Sequence, residues 1–539
     1  MSSVPVNPII PGFSPDPSIV LVDGTFYLVT STFHLFPGLP IYVSKDLVSW
    51  THIGNAINRP SQLSLKNSST KLFPPDSRGD VMLSTGGLYA PTIRHHLGTF
   101  YIVCTNVIHT GPGSKDRTEN FIISTTDIHA SNWSDPIPFD FRGIDPSIFF
   151  DAADDDDDAG RAYIQASASP GPMTTITQFE INPATGEKLS PEKTLWTGTG
   201  GIYPEGPHLY KKDGWYYLVI SEGGTFEGHM VTVARSRELW GPYESYERNP
   251  ILPARGADEY VQGTGHCDIF QDLGGRWWCV CLGTRRREGK YVLGRETFLT
   301  TAEWKEGEWP VLDQVRLDPK LVDGRSLARR EDKNTLKTEP GVDYLYIRDP
   351  ELDHYSFSDD DNGTITLTAS TADISQWQDP TTFIGKRQRK HDGIAKATLH
   401  NPQPTPTPTT ATTTTLKAGL AYYKDEHRHI KLFHDFSTSE IVLELTNNAK
   451  SISRTVRHGL EQMTDAVITF RIEYTELEYR FSFSTGRDGN ENGAGSWVVV
   501  GCVDALEMTG PDFVGPVIGV FATAREEGVR VRFEGLGVE

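Results

Sequence analysis

The chain has 539 residues, of which 23% are charged and 37% apolar, and a formal net charge of −20. These proportions fit a folded chain of two or more domains and exclude a disordered one. An acidic surface repels nucleic-acid phosphates and anionic lipids, so neither nucleic acid nor membrane is an expected partner, and no apolar run reaches the roughly 18 residues of a membrane-spanning helix.

The N-terminal stretch MSSVPVNPIIPGFSPDPS has no basic start followed by an apolar run, so a cytoplasmic location is expected, or a secreted one if the chain is a mature form. Gly (50) and Pro (35) are plentiful while helical periodicity is scarce, which favours an all-β class. The cysteines, Cys104, Cys267, Cys279, Cys281 and Cys502, are odd in number and lack CxxC spacing. Free thiols are expected rather than a disulfide framework or zinc site. Sequons begin at Asn67, Asn132 and Asn362 and matter only on a secretory route.

One phrase recurs along the first three hundred residues: a polar residue in a Pro/Gly turn, an apolar stretch, a tight turn, then an aromatic strand. The copies are SPDPSIVLVDGTFYLVTS, YAPTIRHHLGTFYIVCT, IDPSIFFDAADDDDDAGRAYIQAS, YPEGPHLYKKDGWYYLVIS and GHCDIFQDLGGRWWCVCL. An interval near 60 residues suits one four-stranded blade, so five copies predict a five-bladed β-propeller. The first strand of each blade lines the axis. Asp16, Asp145, Glu205 and His266 take matching places in their copies and should converge at one mouth of the channel. A turn-forming role explains any one of these acids alone; three in phase point to a site.

Repeat character fades near residue 312. The sequence predicts a catalytic propeller over 1–312, a polar linker over 313–345 and a β-sandwich over 346–539. The last rests on period-two strands such as HIKLFHDF, EIVLELT and GVRVRFEGL. The low-complexity run 401–417 and the acidic run Asp154 to Asp158 read as exposed loops; the latter lacks the interleaved Gly and Glu of a calcium loop.

Cleaving a glycosidic bond takes two carboxyl groups in different protonation states. One protonates the leaving oxygen, and the other activates water or attacks the sugar. A third acid nearby raises the pKa of the proton donor. Metal chelation is a weaker reading of these acids, since no HExxH-type spacing accompanies them.

At NPIIPGFSPDPSIV, STFHLFPGLPIYVSKDLVSW, GGLYAPTIR, GIDPSIFF, YPEGPHLY, GTGHCDIF and LGRETFL the sequence resembles glycoside hydrolase family 43. FIGKRQ and AGLAYYKDEH resemble the concanavalin-like second domain of its β-xylosidase branch. The resemblance implies an inverting mechanism with Asp16 as general base, Glu205 as general acid and Asp145 tuning and orienting the acid. It also implies sugar contacts from Phe33, Tyr89, His266 and Arg295, and a Phe513 that closes the pocket from the sandwich. Tyr89 stands where the family often has Trp. Arg348-Asp349-Pro350 resembles a motif of fructan-cleaving propellers but lies outside the repeats. No cofactor is implied, with room left for a structural calcium ion held through water near His266.

The expected substrate is a xylo-oligosaccharide, cleaved from its non-reducing end as by a β-1,4-xylosidase. An α-L-arabinofuranosidase acting on arabinosyl groups is the alternative. A non-catalytic carbohydrate-binding propeller is the minor one. Homo-oligomerisation is left open.

Overall fold

Short apolar strands punctuated by DG, LG and GG turns have one economical outcome, the antiparallel meander, because each turn returns the chain beside the strand it has just left. A computed structural model describes residues 5–109, 115–151, 160–168, 171–253, 260–320, 327, 336–358, 363–400, 414–460, 467–486 and 497–539. The acidic run 154–158, the sequon at Asn362 and most of the low-complexity run, 401–413, lie outside these residues.

Among the described residues, five sheets follow one another along the chain, antiparallel but for one parallel strand added to the first, and open with Ser18–Val22, Gly87–His96, Gly143–Asp151, Glu205–Lys212 and Val261–Gln271. Each opening strand packs against the next, and the fifth packs against the first, so these strands close a ring. Each opening strand is the edge of its own sheet, and the ring gathers these five edges around the axis, where they are protected. The N-terminus locks the ring. Asn7 Nδ2 donates to Leu299 O at 2.7 Å and Asn7 Oδ1 accepts from Leu299 N at 2.9 Å, binding the start of the chain to the fifth sheet. The fold is all-β: a β-propeller followed by a sandwich.

The sandwich pairs a seven-stranded sheet with a six-stranded one. In the six-stranded sheet, Lys417–Asp425 and Arg428–Asp435 are buried along nearly their whole length. In the first of them sequence alternation is lost, both faces being covered, which is why AGLAYY carries no period-two signal. The two parts share elements. Tyr346–Ile347 pairs with Leu35–Phe36 of the propeller, and Leu336–Thr338 runs parallel to Trp50–Ile57. Arg348 is buried, pairing with Glu426 at 3.3 Å, while Asp349 accepts from Leu65 N at 2.6 Å. The Arg-Asp-Pro run therefore joins the two parts. All five cysteines are free and four of them are buried. Among the described residues no helix is long and apolar enough to cross a membrane.

Candidate active site

The opening strands share a local device. In four of them pairing with the next strand is interrupted by a bulge: between Tyr89 and Thr92, Ile144 and Ser147, Glu205 and His208, and Gln262 and Asp268. Three of these bulges contain Pro, which has no N–H to give a ladder. At the matching place of each copy the backbone is left-handed: Asp16 (φ 54°), Ala90 (39°), Asp145 (57°), Gly206 (57°) and His266 (46°). Such angles are uncommon for residues other than Gly and are held only where the surroundings enforce them. The device turns Asp16, Asp145 and His266 out of the ladder. Glu205 stands one position ahead of this phase, because Gly206 takes the left-handed place. A Cβ at Gly206 would lie 2.8 Å from His266 Nδ1.

Asp16, Asp145 and His266 are buried, and Glu205 is partly open. Asp16 Oδ2 accepts from Ser31 Oγ at 2.6 Å and Oδ1 from Arg295 Nη1 at 3.2 Å. Ser31 Oγ also accepts from Ala90 N at 2.7 Å, so one hydroxyl spans two sheets. Asp145 Oδ2 accepts from the Gly206 amide at 3.1 Å, which fixes the peptide that follows Glu205, and lies 4.0 Å from His266 Nδ1. His266 is held through its own amide, which donates to Ser221 Oγ at 2.5 Å.

The electrostatics separate the acids. Burial, then the charges of Asp145 and Asp16, push Glu205 well above the usual carboxylate range, with Arg295 opposing. Burial also raises Asp145, to about 6; His266, the Gly206 amide and Arg295 oppose it, while Asp16 adds to it. The three carboxyl groups thus stand within each other's fields in a desolvated site, the condition for keeping a proton on one of them near neutral pH.

Arg295 is buried beside Asp16 and reaches three groups. Besides Asp16 it donates to Thr225 Oγ1 at 3.0 Å and, through Nη2, to the carbonyl of Phe513 at 3.0 Å. Its guanidinium lies 5.3 Å from the Phe33 ring and 5.4 Å from that of Phe513. Phe33 itself has φ 53°, and its carbonyl accepts from Leu88 N. Gly87 makes this approach tolerable, since a Cβ there would lie 2.1 Å from Phe33 O. Phe33 meets Tyr89 at 4.6 Å and Phe513 at 5.9 Å between ring centres, and Phe513 stacks on Phe226 at 6.3 Å. Phe513 comes from the sandwich, so a ring of the second part abuts the propeller residues around the acids. Tyr89 donates its hydroxyl to Thr85 O at 2.5 Å.

Below the acids lies a polar floor. Asp268 accepts from Ser18 Oγ (2.8 Å), Arg94 Nη1 (2.7 Å) and Tyr210 OH (2.8 Å), joining four of the opening strands. Burial opposes ionisation of Asp268, yet the charge of Arg94 and the hydrogen bonds from Arg94 and Ser18 prevail and hold it far below the usual range. Sequence reading passed over this floor, along with Ser31, Thr225 and Phe226. The floor had a signal: Ser18, Thr92, Ser147, His208 and Asp268 each lie two residues past the left-handed position. No group of three or more His, Cys, Asp or Glu is gathered to hold a metal among the described residues.

The model of glycosyl hydrolases family 43 matches residues 5–310, and that of the β-xylosidase C-terminal concanavalin A-like domain matches 336–535. A non-reducing end α-L-arabinofuranosidase of Bacteroides ovatus is 33% identical over 96% of this chain and 91% of its own. A xylosidase/arabinosidase of Butyrivibrio fibrisolvens is 35% identical over 79% of each. Among solved structures, a xylan β-1,4-xylosidase from Bacillus halodurans superposes with a TM-score of 0.81 at 26% identity, covering 98% of both chains.

Proposed function

We propose that this chain, which belongs to glycosyl hydrolases family 43, is an inverting exo-glycosidase releasing xylose from the non-reducing ends of β-1,4-xylo-oligosaccharides. The observation that carries the reading is the convergence of Asp16, Asp145 and Glu205 beside Arg295 and the sandwich ring of Phe513. In this reading the five sheets are the five blades of a catalytic propeller over 1–312, residues 313–345 are the linker, and 346–539 form the sandwich.

Glu205, kept protonated by burial and two neighbouring charges, gives its proton to the glycosidic oxygen. Asp16, oriented by Ser31 and Arg295, takes a proton from the water that attacks the opposite face of the sugar. Inversion needs the two carboxyl groups roughly 6.5–9.5 Å apart so that the water fits between. Asp145 holds the peptide beside Glu205 and raises the acid's pKa. Phe33, Tyr89 and Phe513 supply apolar walls for a sugar face, and Arg295 reaches its hydroxyls. A ring from the second domain over the pocket favours cleavage at chain ends over cleavage within a groove. A non-catalytic binding module would gain nothing from a proton donor beside a base.

The second reading is α-L-arabinofuranosidase activity, favoured by the resemblance to the Bacteroides ovatus enzyme over nearly the whole chain. Hydrolysis of nitrophenyl β-D-xyloside and nitrophenyl α-L-arabinofuranoside by one preparation separates the two. A dominant xyloside rate is expected, comparable rates mean a dual pocket, and a dominant arabinoside rate reverses the order. If neither substrate nor xylobiose is cleaved, the hydrolase reading fails.

The electrostatics give a signed prediction. Glu205 acts only when protonated, so kcat/KM falls as pH rises through its pKa. In Asp145→Asn a charge that raises that pKa is gone, and the alkaline limb of the pH profile should move to lower pH. An unmoved limb in a folded variant would remove Asp145 from the tuning role.

A further inference from the structure

The turn between Lys417–Asp425 and Arg428–Asp435 reads Lys424-Asp425-Glu426-His427-Arg428. Five charged or titratable residues in a hairpin turn ordinarily face water. Here Lys424, Asp425, Glu426 and Arg428 are each at most 2% exposed. Their partners explain the burial. Asp512, itself 3% exposed, accepts from Lys424 Nζ at 2.6 Å and from Arg428 Nη1. Arg428 Nε donates to Asp425 Oδ2 at 2.9 Å. Two cations and two carboxylates balance within one cluster, the arrangement that makes buried charge tolerable. Glu426 turns the other way, accepting from Thr70 N of the propeller at 2.7 Å and pairing with Arg348.

Asp512 is the residue before Phe513, and the short segment around it is fixed on three sides. Pro511 O accepts from Leu83 N of the propeller at 2.9 Å. The Asp512 carboxylate is gripped by the two sandwich cations. Phe513 O accepts from Arg295 Nη2, whose other nitrogen holds Asp16. A displacement of the cluster would therefore move the ring that faces Phe33.

We propose that Lys424, Arg428 and Asp512 are positioning residues: a buried charge cluster that sets Phe513 over the sugar pocket without touching the sugar. The inference rests on the glycosidase reading above and adds to it a determinant of substrate affinity. Phe513 meets the bound sugar in ground state and transition state alike, so misplacing it should weaken both equally.

The test is Lys424→Met in the full chain, assayed on whichever nitrophenyl glycoside the wild type prefers. KM is expected to rise about tenfold while kcat stays within about twofold. Lys424→Gln, which can still donate to Asp512, should recover part of the loss and serves in its place if the methionine variant does not fold. In a Phe513→Ala background the same substitution should add no further rise in KM, because the ring through which it acts is gone. A merely structural role would lower the melting temperature and leave KM alone. An unchanged KM in a folded Lys424 variant, or effects that multiply in the Phe513→Ala background, overturns the proposal. A wild-type chain with no turnover on either glycoside would instead contradict the glycosidase reading itself.

Discussion

Replacing Glu205 by alanine is expected to lower kcat/KM on xylobiose by about 10³-fold while leaving the better nitrophenyl glycoside within about tenfold of wild type. The contrast comes from the leaving group. A sugar alkoxide is too basic to depart without a proton, whereas a nitrophenolate departs unaided. The structure gives Glu205 that proton: burial and the fields of Asp145 and Asp16 hold its pKa well above the ordinary carboxylate value. The removed step is worth about 4 kcal/mol of barrier for the natural substrate. Paired measurement of kcat/KM on both substrates checks it. Equal losses on the two would show that Glu205 serves binding or folding and that the acid lies elsewhere.

Replacing Asp16 by alanine should act differently. Activity on both substrate types is expected to fall by about 10³-fold or more, since water must be activated whatever the leaving group. The substitution also leaves Ser31 Oγ and Arg295 Nη1 without their carboxylate partner. A melting curve should therefore accompany the kinetics, and Asp16→Asn, which keeps the shape, should lose activity to a similar extent. Retained turnover of the nitrophenyl glycoside by a folded Asp16 variant would end its assignment as base.

Much of this site was legible because a repeat does the addressing. DPS, APT, DPS and EGPH mark four of the opening strands, and the same Pro that punctuates the sequence lies in the bulge that turns a side chain out of the ladder. The resolution of that reading was one residue. Gly206 takes the left-handed place in the fourth copy, and nothing in YPEGPHLY announces whether Glu or Gly should occupy it. Ser31 and Thr225 were illegible for another reason: each matters through a single hydrogen bond to a residue distant in sequence, and Ser and Thr are too common to signal alone. The strand Lys417–Asp425 of the six-stranded sheet carried no period-two signal, since a strand covered on both faces can lose its alternation. The KDEHR turn reads as surface until Asp512 is brought to it from 84 residues away.

The most direct test of the central claim is the anomeric configuration of the first sugar released. Proton NMR of nitrophenyl β-D-xyloside hydrolysis, in which the only sugar released is the one attacked, recorded faster than mutarotation, should show α-xylose appearing first and the β anomer growing only as the sugar equilibrates. That outcome requires water to attack from the face opposite the leaving group, the geometry assigned to Asp16 and Glu205. Initial release of β-xylose would mean retention through a covalent intermediate. It would contradict Asp16 as a base acting on water and with it the account of how these acids divide the work.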